Sequence, residues 1–184
     1  MYGLAANGSL PLVVTVEDKY DIMQLIKLKQ DDPSLNLVLL GASGAPFVAE
    51  ELATAEIPVI LTGNRGAPDS WEKRELLVGP PLTKSAAAVL SEANVIYGLA
   101  VYTDQGESHI HNLPLEASWA AKYSGLSDKA AIDLVSRNIE KILGLKKSED
   151  IVIYEGNPLE FGASVVLSLD GDDGVVMDCW PVSN

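Results

Sequence analysis

Between residues 12 and 102, short apolar runs alternate with amphipathic stretches, the pattern of successive βα units on a mostly parallel sheet. Leu12-Val13-Val14-Thr15-Val16 is short, apolar and rich in β-branched residues, and Glu17-Asp18 then places acid where a helix begins. That helix carries Ile22, Met23, Leu25, Ile26 and Leu28 and stops at Asp31-Asp32-Pro33. Leu37 to Leu40 reads as a second buried strand, Gly41-Ala42-Ser43-Gly44 as a tight turn, and Pro46 to Ala53 as a helix with proline in its first turn. Ile57 to Leu61 predicts a third strand, with Pro58 tolerable because it stands at the strand's start.

Residues 62 to 83 are dense in glycine and proline, which predicts a long loop interrupted by a short helical piece from Trp71 to Glu75. A helix over residues 85 to 93 and a fourth strand over 95 to 102 follow, then a polar loop over 104 to 112. Helices are expected over 115 to 123 and, unbroken, over 127 to 143. The tail changes character. Residues 151 to 154, 163 to 169 and 175 to 180 read as antiparallel strands, with Asp170-Gly171-Asp172-Asp173-Gly174 as a hairpin turn. No internal repeat or heptad pattern interrupts this order.

Composition narrows the function classes. With 47% hydrophobic and 21% charged residues, the 184-residue chain can bury a sizeable core. Its net charge of −13 repels phosphate backbones and anionic lipid, so neither nucleic acid nor membrane is expected as a partner. A single cysteine, Cys179, excludes an internal disulfide and a closed cysteine-based zinc site. The N-terminus lacks the basic start and apolar run of a signal peptide, and no stretch is long enough to span a bilayer, so the chain as given is expected to be soluble, in an unassigned compartment.

The last third carries a family likeness. Leu126-Ser127-Asp128-Lys129-Ala130-Ala131, then Ser136 to Leu145 ending in Leu143-Gly144-Leu145, then Tyr154-Glu155-Gly156-Asn157-Pro158-Leu159-Glu160 resemble the end of a metal-dependent amidohydrolase, most nearly its imidazolonepropionase-like branch. Leu10 to Val14, and Val48 to Ala53 with Ile57 to Leu61, are similar to segments of fungal proteins labelled carbohydrate esterase family nine. The resemblance implies that the four strands are strands five to eight of a (β/α)8 barrel and that the tail is a β appendage after it. A complete barrel needs roughly 250 residues, so only its second half is expected here. The domain reading is a half-barrel-like α/β domain over residues 1 to 146 and an appendage over 147 to 184 packed on it as one structural unit.

The resemblance also implies a metal site of histidines on the first, fifth and sixth strands, a lysine or glutamate on the fourth, and an aspartate after the eighth. Thr103-Asp104 matches the last of these, which makes Asp104 the candidate catalytic residue. The fifth-strand position holds Thr15 or Glu17 and the sixth-strand position Gly41-Ala42-Ser43-Gly44, so both histidines are missing. The leading expectation is a non-catalytic domain that acts by protein binding or self-association, with no cofactor. The alternative is a hydrolase of amide or ester bonds whose zinc or manganese is held by Asp104, His109 and His111, or whose site a partner chain completes.

Each candidate has a plainer reading. His109-Ile110-His111 is more simply two solvent-facing histidines. Gly41-Ala42-Ser43-Gly44 could hold an anion on a helix N-terminus, but lacks the P-loop lysine, so a tight turn is favoured. Arg65, Trp71 and Arg74 could form a ligand loop for an acidic or sugar group, or pin that loop to the barrel flank. Trp119 and Tyr123, at helical spacing, are expected in the core. Four βα units cannot close a barrel, so a sheet face bearing Val13, Leu39, Ile60 and Leu99 is expected to need cover. A second copy, a missing barrel half or the chain's own helices could supply it.

Overall fold

The computed structural model describes residues 2–62, 71–101 and 112–179, and the chain divides into two compact units, Met1–Leu145 and Lys146–Asn184. In the first unit a short helix α1 (Tyr2–Ala6) precedes β1 (Leu12–Val16), α2 (Lys19–Asp31) and β2 (Leu37–Gly41). A 3-10 turn (Ala45–Val48) leads into α3 (Ala49–Thr54) and β3 (Val59–Leu61), and a second (Trp71–Lys73) precedes α4 (Ala86–Glu92) and β4 (Tyr97–Leu99). The strands lie in the order β1-β2-β3-β4, every neighbouring pair parallel. Sequential order without a reversal is the winding of a barrel wall, and differs from a doubly wound sheet, which reverses at a switch point.

Local chemistry sets the helix starts. The Asp18 carboxylate accepts the Tyr20 N–H at 2.8 Å and caps α2, whose Ile22 and Ile26, one turn apart, face inward. The Ser85 hydroxyl accepts the Ala88 N–H at 3.1 Å and caps α4, whose buried residues Ala86, Ala87, Ala88 and Leu90 let the helix approach the core closely. Helices α3 and α4 end alike. The N–H groups of Ile57 and Val95 reach back to the carbonyls of Leu52 and Leu90, and the residues before them, Glu56 and Asn94, take left-handed φ of 54° and 60°.

Successive residues of a strand face opposite ways, and the register sorts this sheet into two faces. Leu37, Leu39, Val59, Leu61, Tyr97 and Leu99 share one core with residues of α2, α3 and α4. Val38, Leu40, Ile60 and Ala100 face the other side. The grouping expected from sequence is therefore corrected: Leu39 and Leu99 lie on the helix-covered face, opposite to Val13 and Ile60.

The second face is covered in part by the chain itself. After α5 (Leu113–Ser124) come α6 (Asp128–Leu134) and α7 (Arg137–Leu143), and Ile139, Ile142 and Leu143 of α7 pack on Val38 and Ile60. The Asn138 amide donates to the Tyr97 carbonyl at 2.7 Å. Gly98 permits this approach, because a Cβ there would stand 2.5 Å from Ile139 Cδ1 and 3.0 Å from the Leu134 carbonyl oxygen. The single helix expected over 127 to 143 is thus two. It breaks at Ser136, whose hydroxyl donates to the Ile132 carbonyl at 2.8 Å while its backbone leaves helical geometry at φ −138°, ψ −91°.

Trp119 and Tyr123 also depart from expectation. Their rings meet edge to face at 5.0 Å, Tyr123 is exposed, and α5 buries Ala117, Ala120 and Ala121 instead. Trp119 lies against Gly79, where a Cβ would be 3.0 Å from the indole.

The second unit is a three-stranded antiparallel sheet in the order β5 (Ile151–Glu155), β6 (Ser164–Leu169), β7 (Val176–Cys179). The turn before β7 is built by Asp170. Its carboxylate accepts the Asp172 N–H at 2.8 Å, and its carbonyl accepts the Gly174 N–H at 2.9 Å. A hairpin turn accounts for this acidic run.

Candidate functional site

Parallel βα sheets carry their chemistry at the C-terminal ends of the strands, where the loops converge. β1 runs directly into Glu17, and β2 into Ala42, Ser43 and Gly44. These two strand ends are bonded to each other. The Ser43 N–H donates to the Glu17 carboxylate at 2.9 Å, and the Gly44 N–H donates to the Glu17 carbonyl at 2.8 Å. The Ala42 N–H donates to the Val16 carbonyl, and the buried Ser43 hydroxyl makes a long contact with the Glu17 carbonyl at 3.4 Å. Gly41 and Gly44 leave the room: a Cβ at Gly41 would lie 2.5 Å from Glu17 Oε1, and one at Gly44 would lie 2.6 Å from the Lys19 nitrogen.

For Gly41-Ala42-Ser43-Gly44 a tight turn was favoured over an anion site on a helix N-terminus, and the segment turns here with its Ser43 N–H on a carboxylate of the chain itself. The anion is the chain's own Glu17. The Ser43 N–H occupies one oxygen of this carboxylate and leaves acceptor capacity on the other.

Arg74 and Glu75 are fastened to the same rim. Arg74 pairs with Asp18 at 2.8 Å, and Lys19 pairs with Glu75 at 3.0 Å. The hydrogen bond that the Lys19 ammonium donates to the Glu75 carboxylate holds its pKa above the usual value. The same ammonium lies over the rings of Tyr20 and Phe47, at 5.0 and 5.5 Å. The Arg74 guanidinium also lies 5.1 Å from the Trp71 ring and donates to the Trp71 carbonyl at 3.3 Å. Arg74 thus joins the segment from Trp71 to Glu75 to the start of α2. Trp71 is 76% exposed beyond it.

Arg65, Asp104, His109 and His111 lie outside the described residues. Among the described residues, no three His, Cys, Asp or Glu side chains converge as a metal ligand set. The described strand ends present Glu17, Ser43, Thr62 and Ala100. The Glu17–Ser43 bond and the paired Asp18–Lys19 and Arg74–Glu75 dipeptides were missed in the sequence. The opposite charge order of Asp-Lys and Arg-Glu was the available signal.

No helix among the described residues is long and apolar enough to cross a membrane. No family model matches the chain. It is 33% identical over 119 residues to Amidohydrolase tasK of Hapsidospora irregularis, a stretch that is 63% of this chain and 12% of that protein. Its fold matches the crystal structure of an amidohydrolase from Thermotoga maritima with a TM-score of 0.78 at 20% identity, covering 96% of this chain and 45% of the other. An uncharacterized protein of solved structure matches with a TM-score of 0.59 at 14% identity, over 91% of this chain and 45% of its own. The chain spans less than half the length of each relative.

Proposed function

We propose that this chain, an amidohydrolase homologue with the fold of half a barrel, acts by binding another polypeptide and does not hold a self-sufficient hydrolytic site. The observation that supports the reading is the Glu17–Ser43 bond across the ends of β1 and β2. At the two strand ends where the resemblance implied metal-binding histidines, one residue is a carboxylate tied to backbone and the other is a serine that bonds it. A catalytic zinc site needs about three protein ligands with an open fourth position, and at these two strand ends only Glu17 carries a group of the usual ligand types. The half sheet remains as a scaffold whose apolar surfaces are available for association.

A native mass spectrum of protein purified without chelator tests the reading. Protein without stoichiometric zinc or manganese is the expected result. Stoichiometric zinc that disappears in His109→Ala or His111→Ala would overturn it and install metal-dependent hydrolysis of amide or ester bonds at Asp104, His109 and His111.

A further inference from the structure

We infer that the cleft at the N-terminal ends of β3 and β4, at the opposite end of these strands from the rim, binds a small organic cation: an ammonium group on a short apolar body. The inference goes beyond the polypeptide-binding reading and does not depend on it.

The cleft has a volume of about 420 Å³ and lies where α3 and α4 lead into β3 and β4. Small-molecule sites measure roughly 300–1,000 Å³. Ala53, Ile57, Pro58 and Ile96 give the cleft an apolar lining, and Ile96 is 46% exposed. Main-chain acceptors of this lining already serve the sheet. The Pro58 carbonyl accepts the Leu39 N–H at 3.1 Å, and the Ile96 carbonyl accepts the Val59 N–H at 3.0 Å. Polar recognition therefore falls to two side chains in the lining, Glu56 and Asn94.

These two are the left-handed residues that follow α3 and α4. Glycine ordinarily stands where a helix ends this way, because a Cβ is strained there. Here both positions carry polar side chains, and both line one cleft. Asparagine eases the conformation by bonding locally, whereas the backbone gains nothing from a glutamate. Residues held against such strain cluster at ligand sites.

Charge selects the ligand. Glu56 has no ion-pair partner among the described residues. The net charge of −13 attracts cations to the surface and repels anions. A divalent metal requires more oxygen ligands than one carboxylate and one amide supply. An ammonium group needs only charge-assisted hydrogen bonds to Glu56 and the Asn94 amide oxygen, while its apolar body covers Ala53 and Ile96.

The test is a methyl-resolved NMR titration of the 184-residue chain with n-hexylammonium at neutral pH, against hexanol and hexanoate as probes of equal length. The ammonium is expected to shift the Ala53, Ile57 and Ile96 methyl signals saturably, hexanol to bind about tenfold more weakly, and hexanoate to leave them unmoved. Glu56→Gln keeps the side chain's shape without its charge and should weaken n-hexylammonium binding about tenfold. Glu56→Gly should abolish the shifts while raising the thermal midpoint, a combination that a glutamate retained for stability would not give. The absence of saturable shifts at these methyls, an equal response to hexanoate, or binding indifferent to Glu56→Gln would overturn the inference.

Discussion

The Glu17 carboxylate accepts the Ser43 N–H at 2.9 Å, joining the ends of two adjacent parallel strands across 26 residues of sequence. Removing the carboxylate would strand a donor on a buried residue, and an unsatisfied buried donor costs about 1–3 kcal/mol. Glu17→Ala should therefore lower unfolding stability by about that amount in urea titration. Glu17→Gln keeps a neutral acceptor and should lose about half as much, because charge-assisted bonds are roughly twice as strong. Ser43→Ala removes only the long hydroxyl contact and should cost less than about 1 kcal/mol. Equal losses in Glu17→Ala and Ser43→Ala would show that the carboxylate is not the holding group.

At Gly98 the prediction concerns a close approach. An added methyl would meet Ile139 Cδ1, which can move, and the Leu134 carbonyl, which cannot without moving α6. Gly98→Ala should destabilise by about 1–3 kcal/mol. Combining it with Ile139→Val should recover part of that loss, giving a favourable coupling in a double-mutant cycle. Additive losses would mean that α7 does not sit on β4 as described.

Much of the sheet was readable because its strands are short, β-branched and apolar, and because Asp18, Ser85 and the glycine and proline turns punctuate them. The faces were not readable. Leu37-Val38-Leu39-Leu40 is apolar at every position, so it has no alternation to tell Val38 from Leu39, and only strand register separates them. The break at Ser136 was hidden because α6 and α7 together keep an unbroken helical composition, and the hydroxyl that diverts the backbone bonds locally. At the strand ends, the missing histidines were visible in the sequence, whereas the capture of Glu17 by Ser43 depends on a tertiary contact.

Glu56 and Asn94 end two successive helices in the same left-handed conformation, and only asparagine is suited to it. Glu56→Gly should raise stability by about 0.5–1 kcal/mol, the strain relieved exceeding the added chain entropy. Asn94→Ala should lower it by about 1 kcal/mol. A shift of the thermal midpoint in the opposite direction for either variant would contradict the backbone geometry.

Arg74 bridges Asp18 and the Trp71 ring on the rim, with side chains still partly exposed to water. Exposed ion pairs contribute roughly 0.2–1 kcal/mol and a surface cation–π contact about 0.5–1. Arg74→Ala should cost less than about 2 kcal/mol, and the loss should shrink at high salt because the ion pair is screened. Arg74→Lys preserves charge but not the planar stack and should fall between wild type and alanine. A loss that salt leaves unchanged would assign the contribution to packing alone.

Acid should weaken the two units through different carboxylates. The Ser34 hydroxyl and N–H hold Asp32 below the usual carboxylate value of 3.8, and the Gly171 N–H, with the Ser148 hydroxyl, does the same for Asp150. A carboxyl with a depressed folded pKa binds protons more readily in the unfolded chain. Its contribution is complete above about pH 4 and is lost as pH falls through the lower folded value. Asp32→Asn should lower stability at neutral pH and flatten the loss below pH 4, since the proton-linked difference at that site is gone. Asp150→Asn should do the same for the C-terminal sheet, whose turn Asp150 fastens at Gly171. Site-resolved carboxyl titration by NMR measures both groups directly, and an Asp32 or Asp150 midpoint at or above 3.8 would refute the assignment.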